Sequence, residues 1–260
     1  MIKTRVRIAT MSENRNVIVN ADDLGARESV NHAIVHLLEQ GLINRATMLA
    51  NFPGFDQAVQ LVHQKGLVNK IGIHLNLTEG VPLHPNPLKK DHLFSGVFKF
   101  RQKFKRSPFF IGSAERKYIY EELDAQISKV KASGIPIDHI DSHHHVHEFY
   151  CIAKIVIELA KKHNIKAVRI LNQDYASFFN RMYKKMIIGY LAKNNLNFTD
   201  LFTNQFGFLE LHQEKYSNGA TESIEIMIHP DYSKDNVIID KVAHFELGLG
   251  FLRDLKGHLK

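Results

Sequence analysis

Apolar positions recur along this chain with two periods. Val30, Ala33, Ile34, Leu37 and Leu38 follow the i, i+3, i+4, i+7, i+8 stripe of an amphipathic helix, with Ser29 as candidate N-cap and Gly41 as stop signal. Residues 118–131 repeat the stripe through Ile119, Leu123, Ile127 and Val130 and end at Gly134; residues 151–163 form a third such segment, and Gly248 and Gly250 flank a fourth. Between them lie short apolar, β-branched runs at 17–21, 71–73, 135–140, 167–171 and 224–228. Runs of this length that lead into polar residues and then a helical stripe predict a parallel α/β protein, in which chemistry gathers at the C-terminal ends of the strands.

At 260 residues and 44% hydrophobic the chain can bury one large core, and no repeat, low-complexity tract or linker divides it, so residues 1–260 read as a single domain. Residues 1–15 form an extension ahead of the first strand, and Met11 is an alternative start. The extension is basic and partly apolar, but no run in it is long enough for a signal segment or a membrane span. The lone cysteine, Cys151, rules out an internal disulfide and a cysteine-based zinc cluster. A cytoplasmic location is the expectation.

Three strand ends carry ligand-type residues. Asp141-Ser142-His143-His144-His145-Val146-His147 closes the 135–140 run with four imidazoles and a carboxylate. Strand alternation would turn Asp141, His143, His145 and His147 to one face, although only some of them can hold one ion. Asp22-Asp23-Leu24-Gly25 follows the 17–21 run, and His74-Leu75-Asn76 follows 71–73. Neighbouring carboxylates on a strand end face different ways, so one of Asp22 and Asp23 can ligate a metal while the other handles a proton. Arg169, inside the 167–171 run, is expected to pair with Asp22 and hold it ionised.

Five blocks together resemble the YdjC-like carbohydrate deacetylases, the chitooligosaccharide deacetylase type. They are Asn20-Ala21-Asp22-Asp23-Leu24-Gly25, Ala46-Thr47-Met48-Leu49-Ala50-Asn51, Gly72-Ile73-His74-Leu75-Asn76-Leu77-Thr78, residues 139–147, and Met227-Ile228-His229-Pro230. Leu24 stands where the family usually has Phe. The resemblance implies a distorted (β/α) TIM-like barrel of the glycoside hydrolase/deacetylase type with a mononuclear site at the strand ends. It implies Asp23, His74 and His143 as metal ligands, Asp22 as general base and His229 as general acid. Asn76, Asp141, His145, His147 and Arg169 are then left to orient ligands or touch substrate. One divalent ion is implied; one carboxylate and two imidazoles suit Zn2+, and open positions would also admit Mg2+.

The net charge of +7 raises nucleic acid as a partner. Its cations are clustered only locally, within an insertion at 94–117 that interleaves Lys99, Arg101, Lys103, Lys105 and Arg106 with Phe98, Phe100, Phe104, Phe109 and Phe110. Single-strand binders and membrane-surface segments share that composition. A lid or rim loop whose aromatics stack on sugar rings, or a homodimer contact, is the preferred reading. The expected substrate is a small N-acetylated sugar such as a short N-acetylglucosamine oligomer, with neither nucleic acid nor membrane as partner. The alternatives are another metal-assisted hydrolase on the same scaffold, such as a phosphoesterase or amidohydrolase, and a non-catalytic metal-binding protein.

Overall fold

In the computed structural model, the structure describes residues 17–85, 92–171, 178–209, 222–242, 245–256 and 259. The extension at 1–15, including Met11, lies outside them.

The β-branched runs become the strands of one parallel sheet. β1 (Val17–Leu24), β2 (Arg45–Met48), β3 (Ile71–Leu75), β4 (His139–Ser142), β5 (Ala167–Val168), β6 (Leu201–Asn204) and β7 (Ile224–Ile228) stand in the order β5-β4-β3-β2-β1-β7-β6. Parallel neighbours need long crossovers, and these carry α1 (Glu28–Glu39), α2 (Phe55–Gln64), α3 (Val97–Arg106), α4 (Ser113–Ala132), α5 (Tyr150–Lys162) and α6 (Phe178–Lys193). Helices cover the outside of the curled sheet, so both strand faces are buried and the strands read as nearly continuous apolar runs. Val17, Val19, Ala21, Ile71, Ile73, Ile140, Ile224, Ile226 and Ile228 are all fully buried in one cluster with the inward stripes of α1, α4 and α5.

The sheet curls into a half-barrel, consistent with the distorted TIM-like barrel that the resemblance implies. Its seam falls between β5 and β6, where Asn197 bridges to Ala167, with Val168 N–H donating to Asn197 O at 2.9 Å and Asn197 N–H to Lys166 O at 2.8 Å. Beyond β7 the chain adds a small antiparallel sheet of β8 (Pro230–Tyr232), β9 (Ile238–Asp240) and β10 (Phe245–Glu246), with β8 packed on α1. Residues 230–246 carry no long apolar alternation, and this sheet is absent from the sequence reading.

Several boundaries differ from expectation. Helix α1 begins at Glu28 with Arg27 as its cap, so Ser29 lies inside the first turn. The turn before α1 is held instead by Asn31, which accepts from Gly25 N–H at 2.7 Å and donates to Gly54 O at 2.9 Å. Gly25 has φ +91 and a Cβ there would meet Leu49 O at 2.8 Å, so the turn requires glycine. The 135–140 run enters the ladder only at His139, and the 167–171 run contributes two residues to it. The insertion at 94–117 is not one loop: it holds all of α3 and the start of α4.

Candidate functional site

β1 delivers both of its aspartates to one place because it does not end as a regular strand. Its pairing with β2 slips between Ala21 and Leu24, and Asp23 adopts φ 70. In an unbroken strand Asp22 and Asp23 would face opposite ways; the bulge and the left-handed residue turn both carboxylates into the barrel mouth. Asp22 and Asp23 are 1% and 2% exposed, so each needs a partner of opposite charge.

Asp22 is gripped by Arg169. Nη1 donates to Oδ2 at 2.7 Å and Nη2 to Oδ1 at 2.7 Å, while Asn20 Nδ2 donates to Oδ1 at 2.8 Å. Burial alone would raise the Asp22 pKa, but the guanidinium reverses this and holds the carboxyl well below its usual range. Arg169 also reaches Asp141 Oδ2 at 2.8 Å and Glu225 Oε1 at 2.6 Å, so one buried cation ties β1, β4 and β7 together. His229, following β7, lies with Nε2 4.0 Å from Asp22 Oδ2. Its backbone N–H donates to Asp240 Oδ2 at 3.0 Å.

His74 is oriented from behind. Its Nδ1 lies 2.6 Å from Asp141 Oδ1, and Thr47 Oγ1 donates to Asp141 Oδ2 at 2.9 Å. This leaves Nε2 facing Asp23 Oδ1 at 3.3 Å, the arrangement in which a carboxylate fixes the tautomer of a metal-binding imidazole. Burial would lower the His74 pKa, yet Asp141, Asp23 and Asp22 around it push it up to about 10. Three converging carboxylates thus demand positive charge at this point.

The histidine run departs from strand alternation. β4 stops at Ser142, and residues His143–Glu148 form a tight 3-10 turn in which His144 and His145 have φ 54 and φ 57. His143 therefore points Nδ1 at Asp23 Oδ1, 2.9 Å away, while its neighbours scatter. His144 Nδ1 sits 2.9 Å from Thr78 Oγ1. His145 meets the edge of Phe202, and burial pushes its pKa well down. His147 is locked in the interior, with Nδ1 2.5 Å from Ser142 Oγ and Nε2 3.0 Å from Arg169 O. The expectation that Asp141, His143, His145 and His147 share a face is corrected: left-handed backbone at two successive residues reverses the chain.

The structure thus brings together Asp22, Asp23, His74, Asp141, His143, Arg169 and His229. Asn76 stands apart, with Oδ1 accepting from Thr78 N–H at 2.9 Å and Nδ2 donating to Glu79 O at 2.6 Å, so it shapes the loop behind His74. Lys241 is an addition from β9's far end: its Nζ is 2.7 Å from Asp23 Oδ2. Glu225 and Asp240 escaped the sequence reading, since nothing local distinguishes them from any strand residue, and Thr47 was read only as part of a resembling block, with no role.

Among the described residues three groups have metal-ligand spacing: Asp23, His74 and His143; Asp22, His74 and Asp141; and Glu79, His143 and His144. In the second, both carboxylates already accept hydrogen bonds on each oxygen from Arg169, Asn20, Thr47 or His74. The third rests on the exposed Glu79. Only the first leaves a buried oxygen, Asp23 Oδ1, without a hydrogen-bond partner although two imidazole nitrogens crowd it. One anionic oxygen and two nitrogens aimed at a common point fit a divalent ion.

The insertion is anchored rather than loose. Phe100 and Phe104 are fully buried, stacked on each other at 4.5 Å between ring centres and against Phe149, which corrects their expected role as sugar-facing rings. Phe98, Phe109 and Phe110 remain exposed. Arg101 reaches from α3 to His144 O at 3.5 Å, at the rim of the site. Cys151 is buried with its thiol pushed up by burial to about 11, so it is a core residue. No helix among the described residues is long and apolar enough to cross a membrane.

Residues 16–251 match the family model described as YdjC-like protein. A carbohydrate deacetylase of Brevibacillus brevis is 32% identical over 85% of this chain and 84% of its own length. One from Vibrio cholerae is 36% identical over 83% and 78%. A solved structure from Enterococcus faecalis V583, named for cellobiose-phosphate cleavage, superposes with TM-score 0.67 over 95% of this chain and 96% of that one; at 22% identity it speaks for the fold alone.

Proposed function

The chain belongs to the YdjC-like protein family, and from that premise we propose that it is a divalent-metal-dependent hydrolase that removes N-acetyl groups from small N-acetylated sugars such as chitooligosaccharides. The observation that carries this reading is the orphaned, buried Asp23 Oδ1 between His74 Nε2 and His143 Nδ1, with an ionised Asp22 beside it.

An N-acetyl amide is a poor electrophile, and water at neutral pH is a poor nucleophile. A divalent ion held by Asp23, His74 and His143 would polarise the carbonyl and lower the pKa of water toward ~7. Asp22 takes the proton from the attacking water. Arg169 keeps that carboxylate ionised and fixed in place. As the C–N bond breaks, His229 gives a proton to the departing sugar nitrogen, and the products are acetate and a free amine. Asp240 Oδ2 accepts the His229 backbone N–H at 3.0 Å, with the ring Nε2 4.0 Å from Asp22 Oδ2.

The substrate side of the reading rests on the rim. A cavity of about 520 Å3 lies between α3 and the histidine turn, lined by Arg101, Lys105, His144, His145, Phe149, Tyr183 and Lys184 among others. That volume lies in the range of sites for small ligands such as a few sugar rings. Protein purified without an affinity tag and loaded with Zn2+ or Mg2+ should release acetate from di- to tetrasaccharides of N-acetylglucosamine. Turnover of a phosphoester or another amide without acetate release would move it to a different metal-assisted hydrolase. Tight metal binding with no turnover at all would make it a non-catalytic metal-binding protein.

A further inference from the structure

We propose that Lys241 is a positioning residue for Asp23: its ammonium occupies Oδ2 so that the carboxylate presents Oδ1 alone to the ion, and it holds the ion more loosely and more electrophilic than Asp23 would unaided. This rests on the reading of Asp23 as a metal ligand.

The geometry that carries it comes from the small antiparallel sheet. Lys241 follows β9, and its backbone N–H donates to His229 O at 3.0 Å, which fixes the strand end against the end of β7. Asp240 and Lys241 are consecutive, so their side chains leave in different directions. Asp240 reaches His229, and Lys241 reaches Asp23 with Nζ 2.7 Å from Oδ2. The lysine is no free surface cation: its side chain is 25% exposed, and it closes on a carboxylate that is 3% exposed. The two oxygens of Asp23 therefore face different partners, Oδ2 the ammonium and Oδ1 the two imidazoles.

An ammonium on one oxygen has two electrostatic consequences for an ion on the other. It repels the ion across the width of the carboxylate, which weakens binding. It also draws electron density from Asp23, so the ligand neutralises less of the ion's charge and leaves it the stronger Lewis acid. A second oxygen kept out of the coordination shell leaves a position open for water or substrate. A merely structural contact would give the opposite signature on removal, namely a disordered Asp23 and weaker binding.

The test is ion affinity, measured by competition with a chromogenic chelator on the full-length protein at fixed pH, beside steady-state kinetics. Lys241→Met should bind Zn2+ about tenfold or more tightly than wild type, while kcat falls about tenfold and KM changes little, the scale on which outer partners of metal ligands act. Lys241→Arg, which keeps the charge, should bind as wild type does. Lys241→Gln replaces the Met variant if that one does not fold. Unchanged or weakened affinity in the neutral variants overturns the proposal. An Asp23→Asn control separates the two levels of argument. If it binds Zn2+ as well as wild type, Asp23 is no ligand and both readings fall; if it loses binding while Lys241→Met is unchanged, only the role of Lys241 falls.

Discussion

Arg169 and Asp22 meet fork to fork, with two hydrogen bonds of 2.7 Å each, inside a barrel mouth where both side chains are almost wholly buried. Paired this way, the carboxylate stays ionised and immobile. Asp22→Asn keeps the shape but cannot accept a proton. It should retain the metal ion while kcat falls by roughly 10²–10⁴-fold, the usual scale of general-base catalysis. Wild-type turnover in this variant, with metal content measured alongside, would reduce Asp22 to a structural partner of Arg169.

Asp23→Ala, His74→Ala and His143→Ala should each abolish tight metal binding and activity together, because two remaining side chains are too few to hold the ion. Elemental analysis of the purified variants checks this. Stoichiometric metal in all three would sink the assignment.

His229 stands 4.0 Å from Asp22 and is reached from the other side by Asp240. Replacing it with Ala should lower kcat far more than it raises KM, since protonation of the leaving amine counts in the transition state. An effect confined to KM would make it a binding residue.

Burial holds His147 neutral, pushing its pKa from the ordinary 6.5 down to about 3. Below pH 6.5 the unfolded chain takes up a proton there that the folded protein refuses until about pH 3. Stability therefore falls as pH drops through that window, by about 1.4 kcal/mol per pH unit for this one group. Urea unfolding of wild type and His147→Gln between neutral pH and the acid limit should give a shallower pH slope for the variant. His145, also pushed down by burial, keeps some slope in both. Equal slopes would contradict the assignment of a neutral, locked His147.

The insertion offers a contrast between rings of the same type. Phe104→Ala removes a fully buried ring packed on Phe100 and Phe149 and should cost about 3–5 kcal/mol. Phe110→Ala, at 79% exposure, should change stability by no more than about 0.5 kcal/mol. Thermal or urea unfolding of both variants decides it. Similar losses would mean that Phe110 is covered in solution.

The periodic stripes of α1, α4 and α5, the β-branched strand cores and the ligand-rich strand ends at Asp22, Asp23, His74 and His143 were all legible in the amino-acid sequence. Each follows from side-chain spacing on a regular backbone, a local property that needs no knowledge of distant chain. Alternation misled where the backbone ceased to be regular. The left-handed residues His144 and His145 scatter the histidine run, and the bulge at Asp23 gathers two neighbours that a straight strand would part. Partner choice was equally hidden. That Asp141 serves His74, that Arg169, expected on Asp22, also takes Asp141 and Glu225, that Phe100 and Phe104 face the core, and that Lys241 returns from the end of the chain to Asp23 depend on which elements pack together. Those contacts join segments far apart in sequence, so only the folded half-barrel with its small added sheet could decide them.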